Sequence, residues 1–178
     1  MSKSAQKILT TAEELFNQHS FVGVGVDLIR DESGCSKTTM YTYYKNKHQL
    51  VKSVLIARDE RFKKSLLEFV GTAKGKEGIA RIFDWHMNWF QEDQFKGCLF
   101  VRIVAESNPE DHDIIKISQQ HKKWIKSLIK DQCESADSSD LSELFYTLIE
   151  GLISRFLVDG FDAEIAIKIK QQLLSLFQ

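Results

Sequence analysis

Apolar side chains recur at helical spacing along almost the whole chain. Between residues 4 and 20 they follow the i, i+3, i+4 pattern of an amphipathic helix, with Ile8, Leu9, Ala12, Leu15 and Phe16 on one side. The pattern then predicts short helices over about residues 26–33 and 37–43 and a long helix over 47–70. Because no stretch of useful length alternates apolar and polar residues, an all-α fold is predicted.

A glycine-rich segment, residues 71–78, is the clearest break in the helical pattern. Beyond it the spacing predicts helices over about 79–91, 98–107 and 111–134, with Asn108 as an N-cap and Pro109 at the first helical position. Two wide apolar stripes, over 141–157 and 165–177, predict the last two helices. The total is about nine helices.

Composition narrows the class of protein. Of 178 residues, 43% are hydrophobic, which is enough for a packed core, and only one is proline, which favours long helices. The net charge of −1 gives no global signal for nucleic acid. Residues 1–52, however, carry seven basic and five acidic side chains, and this local excess favours phosphate.

The cysteines and the N-terminus indicate a cellular compartment. Three widely spaced cysteines form neither a disulfide framework nor a zinc motif, as expected in a reducing cytosol. The N-terminus is polar and unlike a signal peptide, and no run of about 18 apolar residues exists to span a membrane. We therefore expect a cytoplasmic protein with no membrane partner.

The segment between the second and third predicted helices has the residues of a helix-turn-helix. Gly34 can adopt the positive φ that ends a helix, and Ser36 is a good N-cap for the next one. The following helix, residues 37–44, is rich in hydroxyl groups, and no acidic residue occurs over 34–52. Hydroxyls and backbone amides at a helix N-terminus suit DNA phosphates, and threonine can meet a thymine methyl. The alternative is a plain corner between two helices.

Residues 8–55 resemble the DNA-binding region of the TetR/AcrR family of bacterial repressors. The resemblance rests on three stretches, which read ILTTAEELF from residue 8, VDLIRDESGCS from residue 26 and KTTMYTYYKNKHQL from residue 37. It implies a helix-turn-helix DNA-binding domain over residues 1–47 and a regulatory domain for effector binding and dimerisation over 48–178. The implied function is a transcriptional repressor that a small-molecule effector releases from a palindromic operator.

The resemblance also assigns roles to positions in the third helix. The residues that would contact DNA are Lys37, Thr38, Thr39, Tyr41, Thr42, Tyr43 and Lys47. Met40 and Tyr44 are interpreted as core residues, although the family usually has phenylalanine at the second of these positions. Gly25 stands where the family usually has a capping threonine or serine, and it can still cap the second helix. Cys35 replaces the usual valine and is interpreted as a small buried residue.

The regulatory half resembles the family more weakly, through residues 97–106, which are similar to the sixth helix of one branch. Aromatic walls with a few polar groups suit a small-molecule pocket, and the alternative is an ordinary aromatic core. The predicted effector-binding residues are Trp85, His86, Trp89, Phe90, Phe100, Ile103 and Phe145. Possible metal ligands, namely His86, Glu106, His112 and His121, match no standard motif, so neither a metal nor a cofactor is predicted.

The two terminal stripes predict a homodimer. Gly151 lies inside a helix, where glycine costs stability unless it allows close backbone approach, and a self-complementary four-helix interface would use both stripes. The predicted interface residues are Leu148, Gly151, Leu152, Arg155, Ile169 and Leu173. The alternative is that these helices only close the core of the monomer.

Two other classes of protein compete with the repressor. An enzyme or carrier with a helical pocket lacks support, because no catalytic triad, phosphate loop or metal motif is present. A helical protein-interaction module would have no salt-dependent affinity for DNA, whereas phosphate contacts require that dependence. We therefore predict a DNA-binding regulator without enzymatic activity, whose partners are double-stranded operator DNA, an effector and a second copy of the chain. Activation of transcription remains an alternative to repression.

Overall fold

The computed structural model describes residues 2–177, and over this range the only regular secondary structure is helical. In this part of the chain there are nine α-helices and one short 3₁₀-helix at Ser139–Leu141. The α-helices are α1 (Lys3–Gln18), α2 (Val26–Ser33), α3 (Lys37–Tyr44), α4 (Lys47–Val70), α5 (Gly75–Phe90), α6 (Leu99–Glu106), α7 (His112–Glu134), α8 (Ser142–Asp159) and α9 (Ala163–Ser175). The predicted all-α fold is confirmed.

The chain divides into two compact units. The first unit comprises the residues up to Arg61 together with Cys98–Gln120, and the second comprises Phe62–Gly97 together with the residues from His121 onward. Helices α4 and α7 each begin in the first unit and end in the second. The first unit thus holds more of the chain than residues 1–47, and the predicted boundary at residues 47 and 48 stays a prediction.

In the first unit, α1, α2 and α3 pack on one another around a small apolar core. Ile8 and Phe16 of α1 are fully buried there, as is Leu50 of α4. The Phe16 ring also stacks on Phe21 with centroids 4.9 Å apart. The Tyr44 hydroxyl, at the end of α3, donates a buried hydrogen bond of 2.7 Å to the carbonyl oxygen of Ala5 in α1. This bond ties the third helix of the trihelical core to the first.

In the second unit, α8 and α9 both pack on α5. Phe83 of α5 and Phe145 of α8 are almost completely buried. Helix α5 also approaches α7 closely at Gly78, where an added Cβ would lie 2.0 Å from the Gln132 side-chain oxygen. A larger residue at this position would require the Gln132 side chain to move.

Two predicted helix starts are wrong. Helix α5 begins at Gly75 instead of residue 79, so the break in the glycine-rich segment is shorter than its composition suggested. Asn108 and Pro109 do not start a helix. They lie in a turn that precedes α7. The Asp111 side chain accepts a hydrogen bond of 2.9 Å from the Asn108 N–H and closes that turn, and α7 begins only at His112.

Over the described residues 2–177, none of the helices is both long enough and apolar enough to cross a membrane.

Candidate nucleic-acid interface

The turn between α2 and α3 is fixed at both ends. Gly34 has φ of 60°, in the left-handed region that favours glycine, and it ends α2. The Ser36 hydroxyl accepts a hydrogen bond of 3.0 Å from the Thr39 N–H, so it caps α3, and its oxygen lies 2.9 Å from the Thr39 hydroxyl. Gly25 is the N-cap of α2 without a side-chain bond, and Cys35 in the turn is half-buried. The sequence predicted both caps.

Helix α3 has one buried side and one exposed side. Met40 and Tyr44 are buried, which confirms their interpretation as core residues. The Tyr41 and Tyr43 side chains are 44% and 46% exposed, a large fraction for aromatic rings. Of the other predicted DNA contacts, Thr38 and Thr42 are exposed, whereas Lys37, Thr39 and Lys47 are half-buried. Their contacts with DNA stay predictions.

An ion-pair chain lies beside the start of α3. The Lys37 ammonium is 2.7 Å from the Asp27 carboxylate, which also pairs with Arg30 at 2.6 Å. Arg30 in turn binds Asp31 with two hydrogen bonds of 2.7 and 2.9 Å. The hydrogen bond from Lys37 lowers the pKa of the Asp27 carboxyl. Lys37 is therefore positioned by Asp27 while its side chain stays 44% exposed.

Helix α6 holds the loop that joins α1 to α2. Arg102 donates to the backbone carbonyl oxygens of Asn17, at 2.9 Å, and of His19. Glu106 accepts hydrogen bonds from the backbone N–H groups of Phe21, at 2.7 Å, and Val22, at 3.4 Å. Sequence reasoning weighed Glu106 only as a metal ligand and did not consider Arg102. Their separation of four residues was the one signal, because it places both side chains on one helix face.

Lys47 contacts the same loop. Its ammonium donates to the Val22 carbonyl oxygen at 3.4 Å, and burial lowers the pKa of Lys47. The nearby Glu106 carboxylate acts in the opposite direction on this pKa.

The start of α7 is anchored to α4 within the first unit. Asp113 accepts from His48 at 2.9 Å and pairs with Lys52 at 2.8 Å. The hydrogen bond from Lys52, followed by that from His48, lowers the pKa of the Asp113 carboxyl to about 2.

The predicted effector residues are divided between the two units. Phe100 and Ile103 are buried in the first unit, and Phe145 is buried in the second. The other four, all in α5, belong to an aromatic cluster of the second unit. This cluster also contains three side chains that were not predicted. The members of this cluster are Phe62, Trp85, His86, Trp89, Phe90, Phe95 and His121. Phe62 lies 4.6 Å from Trp85 and 4.8 Å from His121, between ring centroids.

His86 is the buried titratable group of the aromatic cluster with the clearest perturbation. Its side chain is 1% exposed, and its Nδ1 lies 2.8 Å from the Ile82 carbonyl oxygen. That contact makes Nδ1 the donor of a neutral imidazole. Burial lowers the pKa of His86 to about 4, and the positive charge of Lys122 acts in the same direction.

The cavities of the second unit lie outside the aromatic cluster. One of about 630 Å³ is lined by the start of α5, by residues 135–141 and by Leu176. Another of about 260 Å³ lies between α5 and α9, beside the 2.6 Å ion pair of Asp84 with Lys170. Among residues 2–177, no three His, Cys, Asp or Glu side chains come together as a metal site would require.

The predicted dimer residues differ in exposure. Leu152 and Leu173 are each 3% exposed, so both belong to the core of the subunit. Gly151 and Arg155 are exposed, and Leu148 and Ile169 are half-buried. One side of α8 carries the exposed Leu144, Gly151, Arg155 and Val158 and the half-buried Leu148, and these five residues are called the outer stripe. An interface on this stripe stays a prediction.

Sequence comparison places the helix-turn-helix in a known family. Residues 8–54 match the family model described as bacterial regulatory proteins, tetR family. A curated relative, an uncharacterized HTH-type transcriptional regulator in the lacX 3' region of Lactococcus lactis subsp. lactis, is 24% identical over 124 residues. The match covers 67% of this chain and 63% of that relative, which is less than two thirds of the relative's length.

Solved structures share the fold along nearly the whole chain. SCO4454, a TetR-family transcriptional regulator from Streptomyces coelicolor, has a TM-score of 0.84 at 18% identity, covering 97% of this chain and 92% of that one. A cysteine mutant of the TetR family regulator CifR, in complex with 26-base-pair double-strand operator DNA, has a TM-score of 0.79 at 15% identity, covering 97% and 96%. The predicted N-terminal helix-turn-helix followed by a helical domain is confirmed, and residues 8–54 are a DNA-binding region of the bacterial tetR-family type.

Proposed function

We propose that this protein is a cytoplasmic, sequence-specific repressor that binds a palindromic operator as a homodimer and leaves it when a small-molecule effector binds. The observation that carries the proposal is the outer side of α3. Tyr41 and Tyr43 are exposed there beside Thr38 and Thr42, on a helix whose start is fixed by Ser36. Exposed rings and threonine methyls suit base edges in the major groove, and Lys37 suits a phosphate.

The dimer relates two such helices to a two-fold symmetric operator. Two helix-turn-helix units read half-sites whose centres lie roughly 34–36 Å apart, one turn of the duplex. An effector that binds better to a state with another spacing lowers DNA affinity through linkage. Helix α4 is suited to carry this change, because it begins beside α3 and ends in the second unit.

The effector site is proposed at the aromatic cluster of α5. Trp85, His86, Trp89 and Phe90 supply aromatic walls and a neutral imidazole, which favour a ligand with apolar surface and few polar groups. Phe145, which lies in the same unit, remains a proposed member of the site. No step of this scheme uses a metal or a cofactor.

The dimer interface is proposed on the outer stripe of α8 together with Ile167 of α9. Leu144 and Val158 are 52% and 79% exposed, and Ile167 is 58% exposed. Large apolar side chains at these exposures are stabilised when a second subunit covers them. Gly151 lies near the middle of the stripe, and an added Cβ there would meet no atom of its own subunit within 4 Å.

Gly151→Leu is expected to weaken the dimer at least about tenfold. The added side chain finds open space in the subunit, and replacing a helical glycine raises helix stability by up to about 1 kcal/mol. A loss of dimer therefore reports on the partner and not on misfolding. Sedimentation equilibrium measures the dissociation constant, and Gln119→Leu adds the same side chain to an exposed position of α7 as a control. A Gly151→Leu dimer as tight as the wild type would place the interface elsewhere.

Selection of bound duplexes from random DNA at moderate salt tests the proposed function. We expect the purified protein to recover a palindrome, because a two-fold symmetric dimer binds two equivalent half-sites. A reporter placed behind the recovered site separates repression from activation, since removal of a repressor raises transcription. A folded dimer that recovers no sequence would contradict the proposal and favour a helical interaction protein.

A further inference from the structure

The loop between α1 and α2 is held by two oppositely charged side chains from a helix far away in the sequence. Arg102 lies on the carbonyl oxygens of Asn17 and His19, at the end of α1, and Glu106 lies on the N–H groups of Phe21 and Val22. These contacts join positions 83 to 85 residues apart. Arg102 and Glu106 belong to the same helix, α6, so one rigid element makes both contacts.

Each charge meets the backbone group that it suits. The last carbonyl groups of a helix have no partner within the helix and carry partial negative charge, which a guanidinium neutralises. Backbone N–H groups that point at one carboxylate oxygen form charge-assisted hydrogen bonds. Both N–H groups of the loop reach the same Glu106 oxygen, Oε2. The loop is therefore fixed in position and in direction.

We infer that Arg102 and Glu106 are positioning residues for operator binding, which fix the orientation of the helix-turn-helix on α6. The inference rests on the proposed function. Neither side chain lies on the exposed side of α3, so their action passes through the α1–α2 loop to Val26, where α2 begins. When the pair is lost, the helix-turn-helix samples other orientations, and only the competent fraction binds DNA.

The test compares variants that remove the contacts with one that keeps their geometry. The probe is the duplex recovered by the wild-type protein from random DNA. Glu106→Ala and Arg102→Ala are each expected to weaken binding at least about tenfold. Glu106→Gln is expected to stay within about threefold of the wild type, because its amide oxygen can accept the same two N–H groups. Faster amide hydrogen exchange at Phe21 and Val22 in Glu106→Ala reports directly on the released loop.

Salt dependence separates positioning from direct DNA contact. The slope of log affinity against log salt counts phosphate contacts in the bound state, so it should be unchanged in Glu106→Ala and Arg102→Ala. Lys37→Ala is the positive control. It should reduce that slope, which would show that the assay detects a lost phosphate contact. Wild-type affinity in both alanine variants, or an equal loss in Glu106→Gln and Glu106→Ala, would overturn the inference. If the alanine variants keep wild-type affinity while Lys37→Ala loses it, only the inference fails and the proposed function survives. A wild-type protein that recovers no duplex overturns both the inference and the proposed function.

Discussion

Tyr41→Ala is expected to lower the affinity for operator DNA at least about 100-fold while changing the free energy of unfolding by less than about 0.5 kcal/mol. The Tyr41 ring is 44% exposed on the outer side of α3, so its removal takes little contact from the subunit. A loss of about 1.4 kcal/mol at one half-site is tenfold, and a dimer suffers this loss twice. Titration of the selected duplex and chemical denaturation measure the two quantities separately.

Lys37 supplies a companion measurement on the same helix. Lys37→Ala should reduce the slope of log affinity against log salt by about two for a dimer, one phosphate contact in each subunit. Lys64→Ala is the matched control, because Lys64 is 75% exposed on the far half of α4. Asp27→Asn should strengthen binding, since it removes the negative charge that lies 2.7 Å from the Lys37 ammonium. Full operator binding by Tyr41→Ala and Lys37→Ala together would contradict the assignment of α3.

Acid is expected to destabilise the second unit through His86. Its pKa is about 4 in the folded protein against 6.5 for the free group, so the unfolded chain binds the proton first. The stabilising effect of neutral His86 is complete above pH 6.5 and is lost as the pH falls from there towards 4. At about 1.4 kcal/mol per pKa unit, the loss reaches about 3 kcal/mol. Denaturant titrations at pH 7.5, 6, 5 and 4 measure it.

His86→Phe isolates this contribution. Phenylalanine keeps an aromatic ring in the aromatic cluster and cannot be protonated, so the loss of stability between pH 6.5 and 4 should shrink. The variant starts from a lower stability at neutral pH, because the bond to the Ile82 carbonyl, of about 1 kcal/mol, is gone. His112→Phe is the control, since His112 is exposed at the start of α7. An unchanged pH profile in His86→Phe would show that other groups cause the acid sensitivity.

Helix positions were predictable wherever amphipathic spacing and end signals agreed. The bounds of α4, Lys47–Val70, were predicted to the residue, because its apolar stripe is long and glycines follow it. Pro109 was misplaced because proline suits both the first turn of a helix and an ordinary turn. The Asp111 side chain decides between them by bonding the Asn108 N–H, and the sequence does not display that contact.

The apolar stripes of the last two helices were visible in the sequence, but their inner and outer sides were not. Leu152 and Leu173 satisfy the same periodicity as residues that a partner could cover, yet both are buried in their own subunit. When a helix is apolar over a wide arc, periodicity gives the stripe but not its orientation. Gly151 is exposed, and an added Cβ there would meet no atom within 4 Å, so its place in an interface stays a prediction.

The charged contacts of the first unit could not be predicted for a different reason. Arg102 and Glu106 bind backbone groups, and a backbone group leaves no trace in residue identity. Asp113 with His48 and Lys52 joins positions about 60 residues apart, and one sequence gives no means to pair them. The hydroxyl-rich α3, by contrast, was recognisable because the resemblance to the family rests on the residue types themselves.

The hydroxyl groups of α3 limit how strictly the proposed interface would read a DNA sequence. The Thr42 hydroxyl donates to the Thr38 carbonyl oxygen at 2.8 Å, and those of Ser36 and Thr39 are held against each other. Over residues 37–44 no arginine, asparagine or glutamine occurs to form the paired hydrogen bonds that single out guanine or adenine, and the one lysine, Lys37, is proposed to contact a phosphate. Discrimination between base pairs would then rest on the threonine methyl groups and on the side chains of Tyr41 and Tyr43. We expect a tolerant operator consensus, in which the flexibility of the duplex decides which sites bind most tightly. A single base change would then seldom abolish binding at a promoter.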